Sequence, residues 1–365
     1  MERIHRDRAD IPTAISSELK RAHVARATGH VPAGATPPDR TGRGPGSVVE
    51  RLVYGAAKPF LRPFIGPLRR VIVGPLEDEV RVDRRRIEEV WQMSQAAGRR
   101  VAVPIGPDRV LVRTVVGYVL CSTDDLGTLA VLIERGDLEP GTRLLIERLI
   151  EPGDTFVDVG ANLGLHTLAA ARAMRGEGRV HAFEPYEPTV RLLRESLVIN
   201  GLAGFVEVHQ AAVADGPGEQ RLFLGSVSGH HSLFPLPEMP GVQPASVDVP
   251  VVQLDAVLGD DSPVDLMKVD VEGAELQVID GARSAIERSP EIALIVEFGP
   301  SHLARAGQSP GTWFERFDRL GLEFREIDAE SGRVYERSVE SLAQVESVNL
   351  LFARPNSRAW QKAAR

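Results

Sequence analysis

The chain holds a single cysteine, Cys121, among 365 residues, so no internal disulfide framework can hold it together. A lone thiol inside an apolar run reads as packing rather than as a nucleophile, and it fits a reducing compartment. There is no basic excess either. With 43 Lys and Arg against 51 Asp and Glu, the formal charge is −8, which gives no footprint for nucleic acid. No apolar run reaches the roughly 20 residues needed to span a bilayer, because the stretches near 71–73 and 110–120 are short or cut by charge. The opening Met-Glu-Arg-Ile-His-Arg-Asp-Arg has no apolar segment behind it, so no secretory signal is expected. The expected setting is the cytoplasm. No Cys/His spacing suggests a zinc site.

What is present is an apolar fraction of 43%, enough for one large domain with an extension. Residues 1–47 are rich in Arg, Pro, Gly and Ala and are expected to be disordered. Residues 48–98 mix apolar positions with arginines and are broken early by Pro59, Pro63, Pro67 and Pro75. They read as a helical, amphipathic extension packed on the main domain or on a second copy in a homo-oligomer. The other reading is a basic segment resting on the inner face of a membrane as a peripheral contact.

The main domain is expected over 99–365. Residues 101–104 and 110–116 read as a β-hairpin around Asp108, followed by short helices at 126–133 and 142–149. Strand candidates follow at 155–159, 179–183, 206–211, 249–253, 266–271 and 292–298. Helical stretches at 165–174, 188–200, 274–286 and 311–320 lie between them. Strands alternating with helices imply a parallel, doubly wound α/β sheet, since parallel neighbours need a crossover. The tail differs: 323–327 and 348–352 read as a pair joined without a helix, so the last strand is expected to be antiparallel.

Three motifs carry chemistry. In Phe156-Val-Asp-Val-Gly-Ala-Asn-Leu-Gly164, an apolar strand ends near Asp158, turns at Gly160 and enters a helix after Gly164. Glycine lets backbone approach a ligand, and a helix N-terminus offers free N–H groups. The spacing Gly160-x-Asn162-x-Gly164 lacks the third glycine of dinucleotide sites. Asp158 adds an acceptor where a methionine amino group fits and a pyrophosphate would be repelled. In Val180-His-Ala-Phe-Glu-Pro185, Glu184 closes the next strand and can accept both hydroxyls of a ribose. In Leu266-Met-Lys-Val-Asp-Val-Glu-Gly-Ala-Glu275, Lys268, Asp270 and Glu272 share one face of an extended strand. Three charges in a strand expected to be central call for a cleft at its carboxyl end.

Together with Glu297-Phe, and with the lead-in Asp137-Leu-Glu-Pro, these motifs resemble the FkbM family of S-adenosylmethionine-dependent methyltransferases over about residues 117–355. The resemblance implies a Rossmann-like class I methyltransferase fold with a seven-stranded, mostly parallel sheet. It also implies O-methyl transfer from S-adenosyl-L-methionine to a small-molecule or glycan hydroxyl, on a sugar or a natural product. Asp158, Gly160, Asn162, Gly164 and Glu184 are then expected to bind the cofactor. Asp270 is the leading base or acceptor-orienting residue, Glu272 the second, Lys268 an electrostatic partner and His231 an alternative base. The paired His230 and His231 depart from the family's Ser-rich segment. Mg²⁺ held by Asp270 and Glu272 through waters is the less favoured reading. An NAD-dependent oxidoreductase and a non-catalytic adaptor docked by the N-terminal arm remain the competing functions.

Overall fold

The computed structural model describes residues 101–237, 245–259 and 263–364. The readings of 1–47 and 48–98 as tail and extension lie outside the described residues. No described helix is long and apolar enough to cross a membrane.

Strands β1 (Ala102–Pro104), β2 (Arg109–Thr114) and β3 (Gly117–Ser122) form a small antiparallel sheet. The sequence suggested only a hairpin here; the third strand arises because the apolar run bends between Thr114 and Gly117. The Thr114 hydroxyl donates to the Gly117 carbonyl at 2.8 Å and accepts from the Val116 N–H at 3.3 Å, closing a tight turn. Cys121 is fully buried in β3, and burial pushes its thiol up to about 12. It is a packed, unreactive side chain.

Helices α1 (Leu126–Arg135) and α2 (Pro140–Leu149) lead into β4 (Thr155–Val159), α3 (Leu165–Ala173), β5 (Arg179–Phe183), α4 (Glu187–Ile199) and β6 (Val206–His209). Then come β7 (Ala212–Val213), β8 (Gly218–Phe223), β9 (Ser246–Val252), α5 (Leu254–Leu258), β10 (Leu266–Val269), α6 (Glu275–Gly281), α7 (Arg283–Glu287) and β11 (Ala293–Phe298). The chain ends with α8 (Pro300–Arg305), α9 (Pro310–Arg319), β12 (Glu323–Ile327), β13 (Val334–Tyr335), α10 (Val339–Leu342), β14 (Val348–Ala353) and α11 (Arg358–Ala363).

The main sheet has the order β13-β12-β14-β11-β10-β4-β5-β6. Strands β6, β5, β4, β10 and β11 are parallel, and β14 runs antiparallel to both β11 and β12. The sheet thus holds the seven expected strands plus the two-residue β13. The pair β12 and β14 forms, antiparallel, but β13 and the one-turn helix α10 lie between them where a connection without a helix was expected. Strand β4 is buried throughout and β11 nearly so, as parallel strands covered on both faces must be. Leu145, Leu168, Leu193 and Trp360 pack one face, and Val278, Ile286, Trp313 and Phe317 pack the other.

Two sequence readings need correction. Residues 249–253 do not enter the main sheet, because β9 pairs with β7 and β8 instead. Its alternating burial, with Val249 and Val251 inside and Asp248 and Pro250 outside, belongs to a half-exposed sheet and not to a central parallel strand. The helix expected over 274–286 breaks at Ala282 into α6 and α7. Just before the break, Gly281 lies against the chain after β7, where a Cβ would sit 2.0 Å from the Ala214 carbonyl.

The order of the parallel strands places the functional cleft. The chain moves outward from β4 through β5 to β6, then returns to β10 on the other side of β4. The carboxyl ends of β4 and β10 therefore flank a topological switch point, where ligands bind in open α/β sheets.

Candidate active site

At the end of β4, Gly160 has φ 82°, and both its N–H and that of Ala161 donate to the Phe183 carbonyl of β5. A Cβ on Gly160 would stand 1.8 Å from the Asp270 carbonyl oxygen. Only glycine lets the ends of β4 and β10 touch this closely. Gly164, at φ 84°, opens α3 against Leu193. Asn162 between them also takes the left-handed conformation, at φ 49°, and its buried Oδ1 has no partner.

Glu184 meets this turn from β5. Its Oε2 accepts from the Asn162 N–H at 3.0 Å and its Oε1 from the Tyr186 N–H at 2.9 Å. Burial pushes the carboxyl up to about 7 against those two donors. A cleft of about 610 Å³ opens here, lined by Gly160, Asn162, Glu184, His231, Asp270 and Glu272 among others.

Asp158 lies beneath the turn and lines no part of the clefts described here. It is fully buried, its Oδ2 accepts from the Thr167 hydroxyl at 2.6 Å, and its Oδ1 has no partner. Register explains the placement: Asp158 stands opposite Lys268 and Ala182, one residue short of the strand end. Its carboxyl is raised by burial, with Lys268 opposing.

His231 belongs to the first cleft. Its Nδ1 accepts from the Gly225 N–H at 3.1 Å, its ring meets Tyr186 edge-on, and burial lowers its pKa. The neighbouring His230 instead faces two further clefts.

Lys268 is 2% exposed and donates to Asp270 Oδ2 at 2.8 Å. Burial opposes its charge, but Asp270, Glu139 and Asp158 outweigh it and keep the ammonium above its ordinary pKa. Asp270 answers in kind: burial raises it, and the Lys268 charge and hydrogen bond bring it below the usual carboxylate range. Glu139, left-handed at φ 49°, accepts from Asn349 at 3.1 Å and stands 3.6 Å from His166. Burial pushes Glu139 up to about 7. Glu139, His166, Lys268, Asp270, Glu272 and Glu297 line a cleft of about 930 Å³ beside the Gly160–Gly164 turn.

A larger cleft of about 1650 Å³ adjoins it, lined by His230, Glu272, Glu297, His302 and Arg305 among others. Glu272 Oε2 is 3.2 Å from His302 Nε2 and 3.2 Å from Arg305. Glu297 Oε2 is 3.6 Å from the other ring nitrogen. Burial, with the charge of Asp270, pushes Glu297 up to about 7. The adjoining Glu297 carboxylate, opposed by burial, raises His302 above the ordinary histidine range. Glu272 itself holds φ 55°, braced by the Ser232 hydroxyl donating to its carbonyl at 2.8 Å. Strained, well-braced backbone of this sort concentrates at functional sites.

Residues 158–327 match the methyltransferase FkbM domain family. This stretch of the chain is similar to a methyltransferase FkbM domain. The strand order above is the Rossmann-like class I methyltransferase arrangement. Curated proteins similar to this chain include the 31-O-demethyl-FK506 methyltransferase FkbM of Streptomyces tacrolimicus, 31% identical over 165 residues, or 37% of this chain and 62% of that one. Another is methyltransferase 1 of Beauveria bassiana, 29% identical over 36% of this chain and 59% of its own length. The chain thus spans about three fifths of the length of these two relatives. Among solved structures, the methyltransferase FkbM of Methylobacillus flagellatus aligns at TM-score 0.36 and 17% identity, over 56% of this chain and 44% of that one. The O-methyltransferase TomG of Streptomyces achromogenes, solved with S-adenosylmethionine, aligns at TM-score 0.35 and 15% identity, over 60% and 80%.

The fold brings Lys268, Asp270, Glu272, Glu184, Asn162 and the two glycines to one end of the sheet. Four contributors were given no site role from the sequence: Glu139 and Glu297, which entered only through the family resemblance, and His302 and Arg305. Glu297 was findable, since a lone carboxylate near the end of Ala-Leu-Ile-Val-Glu-Phe breaks an apolar strand as Lys268 does. Glu139 stood in the Asp137-Leu-Glu-Pro lead-in, but nothing local tied it to the cleft, because it arrives from the segment between α1 and α2.

Proposed function

We propose that this chain is an S-adenosylmethionine-dependent O-methyltransferase acting on a hydroxyl of a sugar, a glycan or a natural product. The observation that carries the reading is the meeting of three clefts at one strand end, with Glu272 lining all three and Asp270 two of them. The named activity of the Streptomyces relative, methylation of 31-O-demethyl-FK506, supports transfer to oxygen. The competing dinucleotide and adaptor functions draw no support from a match to a methyltransferase domain.

The residues present fit the methyl donor. Glu184 keeps free lone pairs for ribose hydroxyls in the first cleft, and Asn162, whose Oδ1 has no partner, lines both that cleft and its neighbour. When bound, the donor supplies a sulfonium methyl and takes the electron pair of the breaking C–S bond. Asp270, fixed and kept ionised by Lys268, orients; its low basicity makes it a weak proton acceptor. We assign proton removal to His302, whose Nε2 reaches the large cleft beside Glu272 and whose ring is polarised by Glu297. The acceptor oxygen loses its proton to that nitrogen as it forms the new C–O bond. Arg305 beside Glu272 can favour a developing alkoxide.

The test is turnover with isotopically labelled methyl donor across hydroxylated sugars and polyketide-type natural products, read by mass spectrometry. Labelled methyl ether with release of S-adenosylhomocysteine is the expected product. Binding of NAD(H) without binding of S-adenosylhomocysteine sinks the proposal.

Glu184 gives two sharper expectations. Glu184→Gln should weaken S-adenosylhomocysteine by about 2–3 kcal/mol, or roughly 30- to 150-fold, because a charge-assisted acceptor is lost. Affinity should also follow pH. Ribose hydroxyls favour the ionised carboxylate, while burial holds it near 7 in the free protein. Binding must therefore expel a proton below that pH, and Kd should rise by up to about tenfold per unit as pH falls from 7 to 5. Calorimetry at several pH values reads this slope, and Glu184→Gln should flatten it. An unchanged slope in the variant removes Glu184 from the ribose.

A further inference from the structure

We infer that His181, Glu207 and His209 form a binding site for a divalent transition-metal ion, zinc above all, at the open edge of the main sheet. The ligands come from β5 and from β6, the last strand of that edge. Parallel register sets His181 opposite Glu207 and Phe183 opposite His209, so all four side chains stand on one face.

The geometry is that of a coordination shell. His181 Nδ1 lies 3.3 Å from His209 Nε2. One Glu207 oxygen is 3.4 Å from His181 Nδ1 and the other 3.7 Å from His209 Nε2. With Zn–N and Zn–O bonds of about 2.0–2.1 Å, ligand atoms around a tetrahedral ion stand about 3.3–3.4 Å apart. The two histidine nitrogens already mark one edge of such a tetrahedron, and a small rotation of the Glu207 side chain brings one of its oxygens to the third corner of a face. The side chains of His181 and His209 are 14% and 17% exposed, and that of Glu207 is 66% exposed. The rings are therefore held in place while the carboxylate and a fourth, water-filled position face solvent.

The His209 ring is further fixed by stacking on Phe183, with centroids 4.4 Å apart and planes 13° from parallel. A preset ring lowers the ordering cost of coordination. None of the three residues lines the clefts described above, so this ion would not touch the reacting atoms. It would pin β6 to β5 where the Glu184 N–H donates to the His209 carbonyl at 3.1 Å. The site escaped sequence analysis because its two histidines are 28 residues apart and are joined only by the crossover through α4.

Metal-stripped full-length protein titrated with Zn²⁺ by calorimetry, and with Co²⁺ by visible absorption, tests this. One equivalent should bind, Co²⁺ should give the intense bands of a tetrahedral site, and Zn²⁺ should raise the melting temperature. His181→Gln and His209→Gln should each weaken binding at least tenfold and abolish the thermal shift, whereas His302→Gln should leave both unchanged. Should His209→Gln fail to fold, Glu207→Gln on its exposed side chain supplies the same comparison. No stoichiometric binding means that the histidines share only an N–H···N hydrogen bond, and the inference falls. It falls equally if the ion is lost with His302→Gln, since Glu272, Glu297 and His302 are the other described group able to hold a metal.

Discussion

Replacing Lys268 by methionine is expected to lower the free energy of unfolding by about 3–5 kcal/mol, the usual cost of removing one partner from a buried ion pair. Methionine matches the length of the lysine stem, so lost packing contributes little. What remains is charge. Asp270 loses the ammonium 2.8 Å away, while Asp158 and Glu139 lose the cation whose charge opposes their burial. Chemical denaturation at pH 8 measures the effect. In the native chain the Asp270 carboxyl is depressed, so its contribution is present at neutral pH and is lost as pH falls through the acid range. In Lys268→Met its folded pKa instead rises above the unfolded value, so the variant should recover stability as pH is lowered. The double variant Lys268→Met with Asp270→Asn should regain part of the deficit at pH 8. A single variant within about 1 kcal/mol of the native protein would mean that Asp270 finds water, and that the network is less enclosed than its burial implies.

His302→Gln is expected to reduce kcat by about 10²–10⁴-fold, the range for loss of a general base, with S-adenosylhomocysteine affinity held within about twofold. Glutamine keeps a polar side chain between Glu272 and Glu297 but cannot take a proton. The pH profile separates this role from a structural one. Burial sets Glu297 near 7 and the Glu297 carboxylate raises His302, so native kcat should fall as pH drops below about 7, when the cluster fills with protons. That limb should be lost or displaced in the variant. Full turnover by His302→Gln would return the base to Asp270 or Glu272, and Asp270→Asn would then abolish turnover with cofactor affinity unchanged.

Much of the site was legible because it is local. A strand, a glycine turn and a helix start are neighbours in sequence, so Gly160, Asn162, Gly164 and Glu184 could be placed by backbone geometry alone. Lys268, Asp270 and Glu272 stood out as alternating charges after an apolar run. The strand expected over 266–271 ends at Val269, however, and Glu272 is left-handed, so only Lys268 lies on the strand and the three do not share one extended face. The same reasoning applied to Glu297, noted only as part of the family resemblance, would have placed it in the site. The distinction between Asp158 and its neighbours was not legible, since one residue of register decides whether a carboxylate lies above or below the strand end.

The sequence by itself determined the alternation of strand and helix, the antiparallel β14 and the turn that points to a methyl donor, because hydrophobic period and glycine spacing act over a few residues. The tertiary structure alone decided which charges meet. Glu139 from the α1–α2 linker, Asp158 from β4, Lys268 from β10 and Glu297 from β11 converge across parallel strands whose order no local pattern encodes. In that enclosed, low-dielectric place each shifts the others' protonation. His302 and the His181–Glu207–His209 edge likewise exist as groups only after the crossovers have laid their strands side by side.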